Sequence, residues 1–188
     1  VGRLEGIHGD RLQLLVGTFN ANHRALIDAW LRHALWTASD ESVPADATTI
    51  LLHHGGGEWR ATRIGVQRAG IEALGPRESL AHALAWSGRI REEALPLFPR
   101  VMCRLLAGDK DERFDEAMAL ERLDEELAKE TPWSATESGA FAYEILWRSG
   151  PPEARRVLEA GLAAYGPVFG AIAGSTTVGR MCRSLGQA

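Results

Sequence analysis

The residues best equipped for chemistry sit in one short run, His53-His54-Gly55-Gly56-Gly57-Glu58. His-Gly-Gly-Gly offers backbone N–H groups to an oxyanion in some esterases, but only beside a serine on a strand-to-helix elbow, Gly-x-Ser-x-Gly. No such pentapeptide occurs, so the glycines are expected to form a flexible loop between helices. His53, His54 and Glu58 carry metal-binding atoms, with His54 and Glu58 one turn apart if a helix ran through them. Three glycines oppose that helix, and neither His-Glu-x-x-His nor paired Cys-x-x-Cys is present. No metal and no cofactor is expected. His23, His33 and His82 are dispersed and read as helix-surface or pocket-edge residues. Phosphate-loop and dinucleotide fingerprints are missing.

Charge supplies the second candidate. Residues 108–130 carry ten acids and four bases, a local net of −6 against −4 for the whole chain, so the remainder is +2. Asp111, Glu112, Asp115 and Glu116 would attract a basic protein partner and speed encounter. Trp133, in a loop after Pro132, is the expected exposed anchor. A nuclease toxin is one such partner, because its own surface must bind phosphates. The competing reading is a solvated helix with pairs such as Glu125–Lys129 at i,i+4. A chain whose net charge is negative lacks the clustered positive field of a nucleic-acid binder.

These groups need elements to hold them. Residues 58–75 read as the central helix, opened by the glycines and stopped at Gly75-Pro76. At about 100° per residue, Trp59, Thr62, Val66, Ala69, Gly70 and Ala73 form one apolar stripe, while Ile64 and Ile71 lie well round from it. A helix with two apolar faces is wedged between neighbours. Arg60, Arg63 and Gln67 would then border an inter-helix groove, the basis of an alternative reading as a small-molecule-binding or resistance protein. An enzyme without a recognisable motif is the third.

Elsewhere, Asp10 can cap a helix to about residue 20, and Asn20 or Asn22 starts another through Leu26, Trp30 and Leu35. Pro44 opens a short helix ending near His54, and Pro76 begins one at its first position that ends at Ser87-Gly88. Pro96 and Pro99 predict a kink or break in residues 91–107. Ser134 and Glu137 form a capping box, and Pro151-Pro152 opens a helix to Gly166. Residues 160–179 are uncharged, but five glycines and Pro167 favour a buried helix over a membrane span. Cys103 and Cys182 read as buried free thiols of a cytoplasmic protein, and no signal peptide is visible.

No run shows clear period-two alternation bounded by hairpin turns, and the expected fold is one all-α domain of about ten helices. The Trp-then-Gly helix ends at residues 84–88 and 145–150 suggest an internal repeat. Gly57-Glu58-Trp59-Arg60-Ala61-Thr62-Arg63, followed by Ala69-Gly70 and Leu74-Gly75, resembles helices of HEAT-type α-solenoids. It also resembles a family of small bacterial helical proteins with no assigned reaction. The resemblance implies stacked antiparallel helix pairs over residues 9–165 and, by neighbourhood, an immunity-type or accessory protein. The double proline and the long acidic helix depart from a regular HEAT pattern. The function expected is non-catalytic binding of a protein partner.

Overall fold

A computed structural model describes residues 6–17, 21–72, 74–93, 95–107, 113–127 and 152–185, with the backbone alone for 182–185. Among these residues the chain builds five strands and six helices. In order they are β1 (Ile7–His8), β2 (Leu12–Val16), α1 (His23–Ser39), β3 (Thr48–Gly55), β4 (Glu58–Ile64), α2 (Pro76–Glu92), α3 (Pro99–Leu106), α4 (Glu116–Leu127), α5 (Ala154–Phe169), β5 (Thr176–Thr177) and α6 (Val178–Leu185). The strands form one mixed sheet in the order β1-β2-β3-β4-β5. The expected all-α array of ten helices is therefore wrong, and with it the HEAT-like stacking.

The error has a local cause. Gly56 and Gly57 have φ of 63° and 84°, and Gly55 pairs with Glu58 across them. Two consecutive positive-φ residues make the tight hairpin turn whose twist matches that of paired strands. They do not make a loose loop between helices. The residues before it, Thr48-Thr49-Ile50, are β-branched and favour the pleated backbone. Those after it alternate faces, so Thr62 and Ile64 point inward while Arg63 points out, as its exposure shows. The helix expected over residues 58–75 is thus β4 followed by irregular chain. The two apolar faces attributed to it are the two sides of a strand. The segment expected as a helix after Asp10 is β2, which pairs in parallel with β3, with α1 as the crossover.

Several helix signals hold. The Asn22 side chain accepts a hydrogen bond from the Ala25 N–H at 3.0 Å and caps α1. Pro76 opens α2, where Glu78 reaches back to the Gly75 N–H at 2.9 Å. Pro99 starts α3, so the double proline breaks the helix as expected. Others fail. α2 runs through Ser87-Gly88 to Glu92, so the first half of the proposed repeat does not end a helix. α5 likewise carries Pro167 inside it. The second half of the repeat, the Ser134–Glu137 box and Trp133 lie outside the described residues. Among the described residues no helix is long and apolar enough to cross a membrane.

The core lies between one face of the sheet and the helices. Leu51 and Ile64 from the sheet meet Trp30 of α1, Phe98 and Met102 beside and on α3, and Val157 and Phe169 of α5. Leu123 of α4 closes it. Trp59, placed by helical spacing in a core stripe, is instead half-exposed on the outer face, edge-on to His54 at 5.9 Å. Leu84 is 75% exposed, because α2 turns little more than Ser79 fully inward.

The hairpin gives a direct test. A Cβ at Gly56 or Gly57 would meet nothing within 4 Å, so the cost of alanine there is purely conformational. Gly56→Ala and Gly57→Ala should each lower unfolding free energy by about 1–2 kcal/mol in urea titrations. Asparagine at Gly56 should cost clearly less, because it tolerates the left-handed region.

Candidate functional site

The inner face of the sheet carries polar groups that a purely structural core would not need. β2 and β3 align Gln13 with Thr49, both buried. Thr49 Oγ1 donates to Gln13 Oε1 at 2.9 Å and lies 3.0 Å from His33 Nδ1. A hydroxyl has one hydrogen; with that hydrogen on Gln13, Thr49 can only accept from the imidazole. Nδ1 therefore carries the ring proton, and Nε2 is left with its lone pair. Burial drives the His33 pKa down from 6.5 to about 4, so the ring is neutral near pH 7.

His33 reaches this position because α1 places Trp30, His33, Ala34 and Thr37 at intervals of three and four, on one face. That face looks into a cleft of about 540 Å³. Across from α1 the walls are the chain after β4 (Gly65 and Gln67), the start of α2 (Pro76 and Ser79) and Pro167 of α5. Gly65 sits hard against the imidazole. A Cβ there would come within 2.7 Å of both Cε1 and Nε2 and 2.9 Å of the Ala47 carbonyl, and its φ is +91°. Glycine is thus required twice over, by contact and by conformation.

A second cluster sits at the far end of the same face. His53 Nε2 lies 3.2 Å from both Thr62 Oγ1 and Ser175 Oγ. The pair resembles a serine–histidine dyad, but its protons are on the wrong atoms. The Ala21 N–H donates to Nδ1 at 3.3 Å, so Nε2 holds the hydrogen and cannot take one from the serine. Arg60 Nε donates to the same Ser175 Oγ at 3.1 Å, and its Nη2 to the Ser175 carbonyl at 3.2 Å. Burial first, then the Arg60 charge, lowers the His53 pKa. The cluster pins the short edge strand β5 to β4; it does not activate a nucleophile. His53 and His54 point to opposite faces of β3, so they cannot chelate one ion together.

The three pocket residues expected from sequence are separated. Gln67 lines the cleft, with its Nε2 donating to the Ile71 carbonyl at 2.6 Å. Arg60 belongs to the His53 cluster, and Arg63 is exposed on the outer face. Of the expected partner-binding residues, Asp115 caps α4 by accepting from the Met118 N–H at 3.0 Å. Glu116 is exposed and lies 3.9 Å from Arg155. Asp111, Glu112 and Trp133 lie outside the described residues. Gln13, Thr49 and the orienting role of His33 were missed. The one available signal was a histidine and a threonine sharing a helix face with Trp30.

Of the two cysteines, Cys103 is a half-buried free thiol whose pKa burial pushes up to about 11, so it is an unreactive group. The side chain of Cys182 lies outside what is described. Comparison with protein-family models, with curated proteins and with solved structures finds no match to this chain.

Two outcomes follow from the cleft. The His33 pKa is lower folded than unfolded, so the unfolded chain takes the proton first as pH falls. Its contribution to stability is complete above about pH 6.5 and is lost progressively towards pH 4. Denaturation across this range should show a loss of up to about 3 kcal/mol, and His33→Gln should flatten that slope. Gly65→Ala should cost about 2 kcal/mol or more and shift the His33 ring resonances, since the ring must move to admit the methyl group.

Proposed function

We propose that this chain binds a small, uncharged organic molecule in the cleft beside His33, one that carries an apolar body and at least one hydrogen-bond donor. The observation that carries the reading is the polarity of the lining. Among the described residues no Lys, Arg, Asp or Glu borders the cleft, and its volume of about 540 Å³ falls in the range of small-molecule sites. Two of the polar side chains on its walls spend their hydrogens within the protein. The Thr37 hydroxyl donates to the His33 carbonyl at 2.9 Å, and the Gln67 amide to the Ile71 carbonyl. With the imidazole proton on Thr49, three side chains offer only acceptor capacity to an occupant: His33 Nε2, Thr37 Oγ1 and Gln67 Oε1. Trp30 and Pro167 supply the apolar wall.

The reading is binding, not turnover. The hydroxyl bonded to His33 gives its hydrogen to Gln13, so the pair lacks the proton direction a nucleophile and base require. A second reading, capture of a basic protein, draws support from α4. Glu121, Asp124 and Glu125 are exposed there and make no ion pair among the described residues. The free thiol of Cys103 fits a cytoplasmic setting.

Ligand titrations followed by NMR discriminate the cleft reading. Benzyl alcohol should shift the Gly65 amide and the Trp30 indole N–H, and benzyl methyl ether, which lacks the donor hydrogen, should bind roughly fivefold or more weakly, as expected for about 1 kcal/mol of hydrogen bonding. His33→Leu should abolish the difference while keeping the fold by circular dichroism. Equal binding of alcohol and ether to the wild-type chain would remove the proposal.

A further inference from the structure

α2 is fully buried at one residue, Ser79, near its start. Further along, Ala83, Trp86 and Ile90 stand three and four residues apart on one face and stay partly exposed. Against that face lies a second space, of about 350 Å³, bordered by three helices. Its walls are apolar: Ile27 and Leu31 of α1, Trp86 and Ile90 of α2, Tyr165 and Val168 of α5. Trp30 forms one side and is also a wall of the cleft beside His33, so the two spaces share that indole. All three helices are described from end to end.

The walls are held in place by their own contacts. His82 Nε2 donates to the Ala164 carbonyl at 2.9 Å and ties α2 to α5 across the space. Trp86 is buttressed by Arg89, whose guanidinium lies 4.5 Å from the ring centroid and is bonded to Glu93 at 3.1 and 3.3 Å. A void of this size among apolar side chains forfeits the dispersion contacts that close packing supplies, and an apolar molecule restores them. Charge then selects which apolar molecule. Among the described residues one charged side chain borders the space, Arg91, which is exposed and makes no ion pair there. The acids nearby do not offset it. Asp28 is paired with Arg32 and Glu93 with Arg89, while Glu78, Glu92 and Glu159 do not line the space. An apolar chamber with a guanidinium at its rim suits a hydrocarbon that ends in a carboxylate, which the planar fork of arginine binds through paired N–H groups.

We infer that this space binds a free, single-chain amphiphile with one negative charge, a medium-chain carboxylate, with its hydrocarbon among the three helices and its head on Arg91. The site is distinct from the cleft beside His33 and does not rest on the reading of that cleft. The test is calorimetric titration of the whole chain with sodium octanoate and with octyltrimethylammonium chloride, at matched pH and ionic strength. Octanoate should bind roughly tenfold more tightly, because the cation exchanges attraction to Arg91 for repulsion. Arg91→Gln, at an exposed position, should bring the two within about threefold of each other. Hexanoate should bind roughly tenfold more weakly than octanoate, the effect of two buried methylenes. In NMR spectra octanoate should shift the Trp86 indole N–H and the Ser87 amide. Ser87→Phe, at an exposed lining position, should block binding with the circular dichroism unchanged. Binding retained in His33→Leu separates this site from the cleft, and loss of binding in that variant assigns octanoate to the cleft and overturns the inference. Equal affinity for the two head groups, equal affinity for hexanoate and octanoate, or an unchanged preference in Arg91→Gln also overturns it.

Discussion

The ladder between β3 and β4 depends on a two-residue turn that only glycine enters without strain, at Gly56 and Gly57. Once that turn is made, seven residue pairs from Thr49–Ile64 to Gly55–Glu58 fall into register. Register then decides which side chains face the helices, because a one-residue slip would send every one of them to the other face. Leu51, Thr62 and Ile64 enter the core, while Arg63 and Trp59 stay outside. The parallel pairing of β2 with β3 builds on this strand and needs α1 as its crossover. α1 is thereby laid across the inner face, which is where its histidine becomes useful.

That inner face joins packing to electrostatics. Buried polar groups are tolerated when their bonds are made, and Gln13, Thr49 and His33 make theirs in a line across two strands and a helix. The line also sets a chemical state. Thr49 fixes which nitrogen holds the imidazole proton, and burial keeps the ring neutral, so the cleft meets an acceptor and not a cation. The same residue type in the neighbouring cluster has the opposite tautomer, because a backbone N–H occupies Nδ1 of His53. Two histidines against the inner face of one sheet, His33 from α1 and His53 from β3, therefore differ in what they offer, for reasons found in a single hydrogen bond each.

The arginines show a comparable division. Arg68 is 4% exposed, a costly place for a charge, and two helix-terminal carbonyls and an aromatic face stabilise it there. Arg104 and Arg122 gather beside it, whereas the far flank of α4 carries exposed acids. The described part of the acidic run is thus a helix with exposed acids on one flank and Ala119, Leu123 and Leu127 turned into the core on another. Summed charge along the chain concealed that, because helical geometry separates residues that composition adds together.

Signals that act within a few residues were legible from the start: the Asn22 cap, the prolines opening α2 and α3, and the break before α3. Each is a local steric or hydrogen-bonding rule that needs no partner from far along the chain. The strands were not read, because Trp59, Thr62 and Val66 mimic helical spacing while Ala61 through Ile64 also satisfy alternation, and pairing is what chooses between them. The paired glycines carried the deciding turn signal, which reads as hairpin once strands flank it. Gln13, Thr49 and His33 lie far apart in sequence and meet through strand register and helix crossover. The composition of the cleft was therefore set by the tertiary structure, because long-range pairing alone decides which buried polar atoms can satisfy one another.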